Sequence, residues 1–491
     1  MKRVLNFFKD YIVEYLVIIL LFVGVFFLAI SRGSYAKDYN NRLSDPEYYA
    51  NKIFDDSRIH KVEVEIAEDK LQDLLNDSTE KSKYSANVYV DGEYFENVAF
   101  STRGNVSLFM IDGNFGNNRY SYKINFKKYG GKDYHGLDKL LLNNLYSDAT
   151  YLKDYTVYNI MRAAGVPSPL TSFTKLYING ELKGLYLALE DIDKSFITRN
   201  QLPKDSVLYK PEALAHDHYK LKKLNEARAS DDKPVVEITD ANDPDFDYGG
   251  SDLVYSDDNP ESYPSIFNNS VSNVSPSDRT RLINSLKSLS PIATEDPAEY
   301  WDVTSLAKYF AANNFVINSD SYIGITAHNY YLLTSNSGNT LLPWDYNLAF
   351  QGITTEDIEE SVINWPIDDP LTIDNPDDRP VWKLLTTKES YLEEYHAALQ
   401  TLLNDYLLSG KANEKITSAA DLIRPHVYSD PTRFFTIDEF EDGVNMLQQF
   451  ISIRSDCVQK QLWGLIPRKK GATYSEDERL QLLDFRDIID N

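Results

Sequence analysis

The sequence predicts an α+β fold in two lobes, a sheet-rich one followed by a helical one, behind a single N-terminal transmembrane helix. Three observations carry that expectation. Residues 15–30, YLVIILLFVGVFFLAI, form one apolar run. Between His60 and Glu190 apolar and polar residues alternate over several short stretches, with Asp91-Gly92 and Asn179-Gly180 at tight-turn positions. From Ser275 onward the apolar spacing becomes that of helices.

With Tyr11-Ile12-Val13 ahead of it, the apolar run reaches roughly the 20 residues that span a bilayer. Lys2, Arg3 and Lys9 precede it. The positive-inside rule then predicts a cytoplasmic N-terminus at 1–10 and a transmembrane signal-anchor at 11–31. The protein would be single-pass in the cell membrane, with an extracytoplasmic main domain. A cleaved signal peptide is the rival, but Ser34-Tyr35-Ala36 is a poor cleavage site. Residues 32–57 are polar and read as a stalk.

The sheet-rich lobe is assigned to 58–205. HKVEVEIA, from His60, alternates as a half-buried strand does. ANVYVDGEYFENVAFSTRG (86–104) reads as two strands about Asp91-Gly92. After a glycine- and asparagine-rich loop, Tyr120, Tyr122, Ile124 and Phe126 share one parity, and Lys123 and Asn125 face the other way. Residues 147–165 have helical spacing, with Ser147 or Asp148 as N-cap and Gly165 as stop. TSFTKLYINGELKGLYLALED (171–191) gives a second hairpin about Asn179-Gly180.

The helical lobe is assigned to 206–466, with helices expected near 275–290, 303–318, 390–409 and 441–464. Two inserts, 237–261 and 356–378, each hold nine acids and no Lys or Arg, and read as surface loops. Residues 467–491 are a tail.

The net charge of −25, over 491 residues, excludes the basic footprint that nucleic acid demands. A single cysteine, Cys457, rules out an internal disulfide and any cysteine-built metal site.

The chemistry concentrates in NSDSYIGITAHNYYLLTSNSGNTLLPWDYNLAFQG, from Asn318. Asp320 follows a helix end. Two short strands joined at Ser337-Gly338 would return Asp345 to the side of His328 and Asn329. Two acids and a carboxamide suit a hard divalent cation, Mg²⁺ or Mn²⁺, and an acid free of it would serve as a base toward a hydroxyl. Turn capping by the same side chains is the plain alternative.

Several motifs in one order resemble the CotH family, the spore coat protein H kinases. They are 102-TRGN-105, 122-YKINF-126, the G-L-x-K-L-x-L-x-N run at 136–144, 148-DATYLKDY-155, Gly165-Val166-Pro167-Ser168-Pro169 and 177-YINGELKGLYLALED-191. 208-LYK-210, 318-NSDSY-322, 328-HNYYL-332 and 343-PWDYNLAF-350 complete the set. The resemblance implies a protein kinase-like two-lobed fold: an antiparallel-sheet N-lobe, a helical C-lobe and ATP between them. It implies transfer of the ATP γ-phosphate, with Mg²⁺ or Mn²⁺, to Ser or Thr of protein substrates, basic or Ser-rich ones among them.

By that resemblance Asp320 orients the acceptor hydroxyl and Asp345 is the main metal ligand, with Asn329 as a second. Lys123 holds phosphates, with Lys210 as rival, and Arg103 reaches them from the covering loop. Asp154 pairs with Lys123. There is no G-x-G-x-x-G and no H-R-D, and nine positions separate Asp320 from Asn329, more than in the protein-kinase catalytic loop. Two other functions stay open: a non-catalytic surface or spore-coat interaction protein, and a secreted carbohydrate-active hydrolase using the same acids.

Overall fold

The computed structural model describes residues 45–104, 107–108, 111, 118–213, 248–350 and 362–470. The chain divides into two units, Met1–Asp55 and Asp56–Asn491. In the first, the described residues hold one 3-10 turn, Tyr49–Asn51. The expected cytoplasmic N-terminus, the signal-anchor at 11–31, the first half of the stalk, the first part of each acidic insert and most of the tail lie outside the described residues. Among the described residues no helix is long and apolar enough to cross a membrane. The expected membrane anchoring and single-pass localisation are corrected accordingly: no described element supports them.

The second unit begins with strands. They are β1 (His60–Glu65), β2 (Tyr84–Val90), β3 (Glu93–Arg103), β4 (Ser121–Asn125), β5 (Lys139–Asn143), β6 (Thr171–Ile178) and β7 (Glu181–Glu190). A helix α1 (Glu68–Asn76) follows β1, and α2 (Lys153–Ala163) lies between β5 and β6. The local signals hold. Asp91 and Gly92 take φ of 51° and 87°, and Asn179 and Gly180 take 49° and 82°, the left-handed pair that turns a two-residue hairpin. Tyr120, Tyr122, Ile124 and Phe126 are all buried.

The closure departs from expectation. The strands form a closed barrel in the order β1-β2-β3-β4-β5-β7-β6. It is completed by a parallel pairing of β1 with β6, from His60 opposite Thr174 to Val64 opposite Ile178. The expected fold, a kinase-like one with an antiparallel-sheet N-lobe, is therefore corrected to a closed seven-stranded barrel with one parallel pairing. The physical reason lies partly in Asn179. Its carboxamide accepts the Ile66 N–H and donates to the Ile66 carbonyl, both at 2.9 Å, and its N–H donates to the Val64 carbonyl. The second hairpin turn thus docks on the end of β1, and the free edges of β1 and β6 satisfy each other.

The rest of the unit carries α3 (Lys194–Arg199), β8 (Val207–Tyr209), α4 (Pro276–Ser288), α5 (Val303–Val316), β9 (Tyr330–Thr334), β10 (Thr340–Pro343), α6 (Pro380–Thr387), α7 (Glu389–Leu402), α8 (Lys411–Tyr428) and α9 (Ile437–Leu462). β8, β9 and β10 make a second, three-stranded antiparallel sheet, so this half is not purely helical. Capping follows the sequence: Ser275 with Asp278 closes a capping box on α4, and Thr436 with Glu439 does so on α9. α5 is buried on nearly every side, from Leu306 to Val316, as its mostly apolar sequence requires. One apolar core runs from β5, β6 and β7 through α2 and α5 to α9.

A buried ion pair ties the barrel to the segment between α8 and α9. Arg119 donates to the Asp430 carboxylate at 2.7 Å with both side chains sealed from water. Gly184 lets them meet: its φ is 117°, and a Cβ there would stand 2.6 Å from Oδ2 of Asp430 and 2.9 Å from an Nη of Arg119. Gly184→Ala is expected to cost about 3 kcal/mol of unfolding free energy, through backbone strain and the displaced ion pair. Urea unfolding of the two proteins measures it.

Candidate active site

The two halves meet at three carboxylates. Asp154 sits in the first turn of α2, Asp320 on the loop after α5, and Asp345 just past β10. The β9–β10 hairpin pairs Pro343 with Tyr330, which returns the chain beside Asn329 as expected. Asn329 donates its amide to Oδ2 of Asp320 at 2.7 Å, and Thr326 donates its hydroxyl to Oδ1 at 3.3 Å. The loop between them is tight. A Cβ on Gly324 would overlap the Ser319 carbonyl oxygen at 1.6 Å, so no other residue fits that turn. Arg379, fully buried, donates to the carbonyls of Gly324 and Ile325 and pins the loop from below.

Asp345 and Asn329 both have left-handed backbones, with φ of 52° and 51°. Such strain in residues other than glycine persists only where surrounding contacts enforce it. Here α2 does so. The Tyr158 hydroxyl accepts the Asp345 N–H at 3.1 Å, and the Asp154 carboxylate accepts the Tyr346 N–H at 2.7 Å. Asn143 donates to the other oxygen of Asp154 at 3.1 Å. Asp148 takes the Lys153 N–H at 2.9 Å, so this expected cap serves the helix from a start several residues later than its spacing suggested.

Electrostatics separate this cluster from ordinary surface acids. Burial, then the Asp345 charge, pushes Asp154 up to about 8. The same two causes, in the same order, push Asp320 up to about 7. Asp345 is raised by burial while Arg103 and Lys210 pull it back. Among the described residues no three His, Cys, Asp or Glu side chains form a ready cation cage.

The cations come from several strands. Arg103 ends β3, with its guanidinium 5.6 Å from the Trp344 ring centre, and Lys210 follows β8, 6.0 Å from the same ring. Lys123 projects from β4 but does not meet Asp154. It pairs with Asp191 at 2.7 Å, and Lys139 lies 3.5 Å from that carboxylate and 3.1 Å from Asp193. Burial pushes Asp191 up, but Lys123 and Lys139 outweigh it and hold the carboxyl below the usual range. The structure thus brings Asp320, Asn329, Asp345, Asp154 and Arg103 into one electrostatic cluster, and gives Lys123 a different acid. Asp191 was the residue that sequence reasoning left without a role. Its one signal was position, an acid pair closing the apolar strand LYLALED.

Comparison with known proteins now decides the family. The family described as CotH kinase protein matches residues 100–458, a span that holds every residue of the cluster. The chain belongs to the CotH family. Inner spore coat protein H of Bacillus subtilis (strain 168) is 22% identical over 345 residues, covering 70% of this chain and 83% of that protein. The match begins at Phe100, three residues before Arg103, and runs into α9.

Proposed function

We propose that this CotH protein is a protein kinase that transfers the γ-phosphoryl group of ATP to Ser or Thr hydroxyls of protein substrates. The observation that carries the reading is the carboxylate trio of buried Asp154 with half-buried Asp345 and Asp320. The Asp345 charge acts against ionisation of the other two, and such mutual repulsion favours a cation among them. Their hard oxygens fit Mg²⁺ or Mn²⁺ better than any softer ion. Mg²⁺ is commonly held by one or two carboxylates together with substrate phosphates.

In this reading Asp345 would hold the cation with Asn329. The cation supplies charge neutralisation for the phosphates. Arg103, Lys123 and Lys210 would bind phosphate oxygens, with Asp191 fixing the Lys123 ammonium in place. Asp320 accepts the acceptor hydroxyl's proton as its oxygen bonds to the γ-phosphorus, and the bond to the bridging oxygen of ADP breaks. A carboxyl raised to about 7 is well matched to that proton, since it is neither too weak a base nor permanently protonated.

The test is labelling of Ser/Thr-containing proteins by the full chain with γ-labelled ATP and Mn²⁺, beside Asp320→Ala. The variant is expected to lose at least about a hundredfold in rate. Equal labelling by both proteins would remove the assignment. The likeness to Inner spore coat protein H favours a second role, as an interaction partner within a spore coat. Absence of any nucleotide-dependent thermal shift in wild type would leave that role standing alone.

A further inference from the structure

The two acids assigned to catalysis lie on different loops, and each is followed by a hydroxyl residue, Ser321 after Asp320 and Tyr346 after Asp345. Both hydroxyls meet one side chain. The Tyr346 hydroxyl donates to Oδ1 of Asn313 at 3.0 Å, and Nδ2 of Asn313 donates to the Ser321 hydroxyl at 3.2 Å. The Ser321 hydroxyl in turn donates to the Asn318 carbonyl at 2.7 Å, within the loop that carries Asp320. Asn313 projects from α5 and is fully buried, as is Tyr346.

A carboxamide on the buried face of α5 is costly unless both its ends are satisfied. Here both are, and by one neighbour of each acid. The planar amide makes the two bonds rigid with respect to each other, because its acceptor and donor sit at fixed geometry. No contact from α2 does the same. Asp154 and Tyr158 bond only the Asp345 side. Arg379 bonds only the Asp320 side.

We propose that Asn313 is a positioning residue that sets the separation of the Asp320 and Asp345 loops. The proposal rests on the phosphoryl-transfer reading for its catalytic consequence, but its geometric content stands apart from it. Near-attack geometry is sensitive to displacements of about 1 Å, so loosening the relay should lower turnover far more than nucleotide binding. Arg103 and Lys123, which would bind the phosphates, stand on barrel strands that the relay does not touch.

Two measurements on the full chain test it. The first is hydrogen exchange of backbone amides in wild type, Tyr346→Phe, Ser321→Ala and Asn313→Leu. Tyr346→Phe removes one hydroxyl on the Asp345 loop, yet is expected to speed exchange several-fold in residues 318–326, across the relay. Ser321→Ala is expected to do the converse in residues 344–350. Asn313→Leu should loosen both loops and leave α2 unchanged. Effects confined to the mutated loop overturn the proposal, and the single-hydroxyl variants decide it even if Asn313→Leu fails to fold. The second measurement is steady-state phosphorylation. Tyr346→Phe is expected to lower kcat by roughly tenfold with the KM for ATP changed less than about threefold. A fall in the amount of active protein with kcat and KM unchanged would mark a merely structural bond and overturn the positioning role. If wild type transfers no phosphate, the kinase reading fails, while hydrogen exchange still decides the relay.

Discussion

Asp345→Asn is expected to abolish phosphoryl transfer and, in the metal-free protein, to raise stability. The two effects have one cause. Asp345 stands among acids that burial alone would keep neutral, and its charge adds to the raised pKa of both Asp154 and Asp320. An asparagine keeps the shape and removes that charge. Each unit by which a neighbouring carboxyl relaxes toward its ordinary value returns about 1.4 kcal/mol. At pH 8 a gain of about 2 kcal/mol, read as a melting temperature higher by about 2 °C, is the expected outcome without divalent cation. The catalytic loss should reach on the order of 10³-fold, because the cation then lacks its principal carboxylate. Adding Mn²⁺ and nucleotide should stabilise wild type and leave the variant unmoved. A variant less stable than wild type under metal-free conditions would show that the acids do not repel as argued.

Metal-free stability is also expected to fall as pH rises. Asp154 and Asp320 have folded values near 8 and 7 against an ordinary 3.8. Between these limits the folded protein binds more protons than the unfolded chain, so unfolding free energy declines with pH. The contribution is fully present below about pH 4 and is lost as pH passes through 7 and 8. From pH 5.5 to 8 the two groups together account for about 5 kcal/mol. Chemical denaturation across that range, beside Asp154→Asn/Asp320→Asn, isolates the effect: the double variant should show a flatter profile. Cation and protons compete for the same oxygens, so stabilisation by Mn²⁺ and nucleotide should grow with pH. A wild-type profile parallel to that of the double variant would overturn the linkage.

Much of this site was legible in the sequence because its signals are local. Asp-Gly and Asn-Gly turns, the alternation of Tyr120 to Phe126 and the two strands flanking Ser337-Gly338 need only neighbouring residues to declare themselves. They were enough to bring Asp320, Asn329 and Asp345 together. The partner of Lys123 was not legible. Lys123 lies opposite Leu141 on β5, Leu141 opposite Leu189 on β7, and Asp191 follows just beyond the end of β7. That relation crosses three strands, and no spacing along the chain encodes it. Barrel closure escaped for the same reason, since HKVEVEIA alternates alike in a parallel or an antiparallel pair. α8 was missed because it carries Pro425 and a largely polar face. Asn313 looked like one more residue of an apolar helix. Its meaning depends on two hydroxyls that only the folded loops bring to it.

The Arg119–Asp430 pair has a consequence for how the chain is made. The two residues are 311 positions apart. A ribosome releases every barrel strand long before it delivers Asp430, so until then Arg119 lacks the carboxylate it meets in the finished fold. The buried contact between barrel and helical half can close only once a segment made 311 residues later has arrived. Completion of the first half is thereby tied to arrival of the segment between α8 and α9.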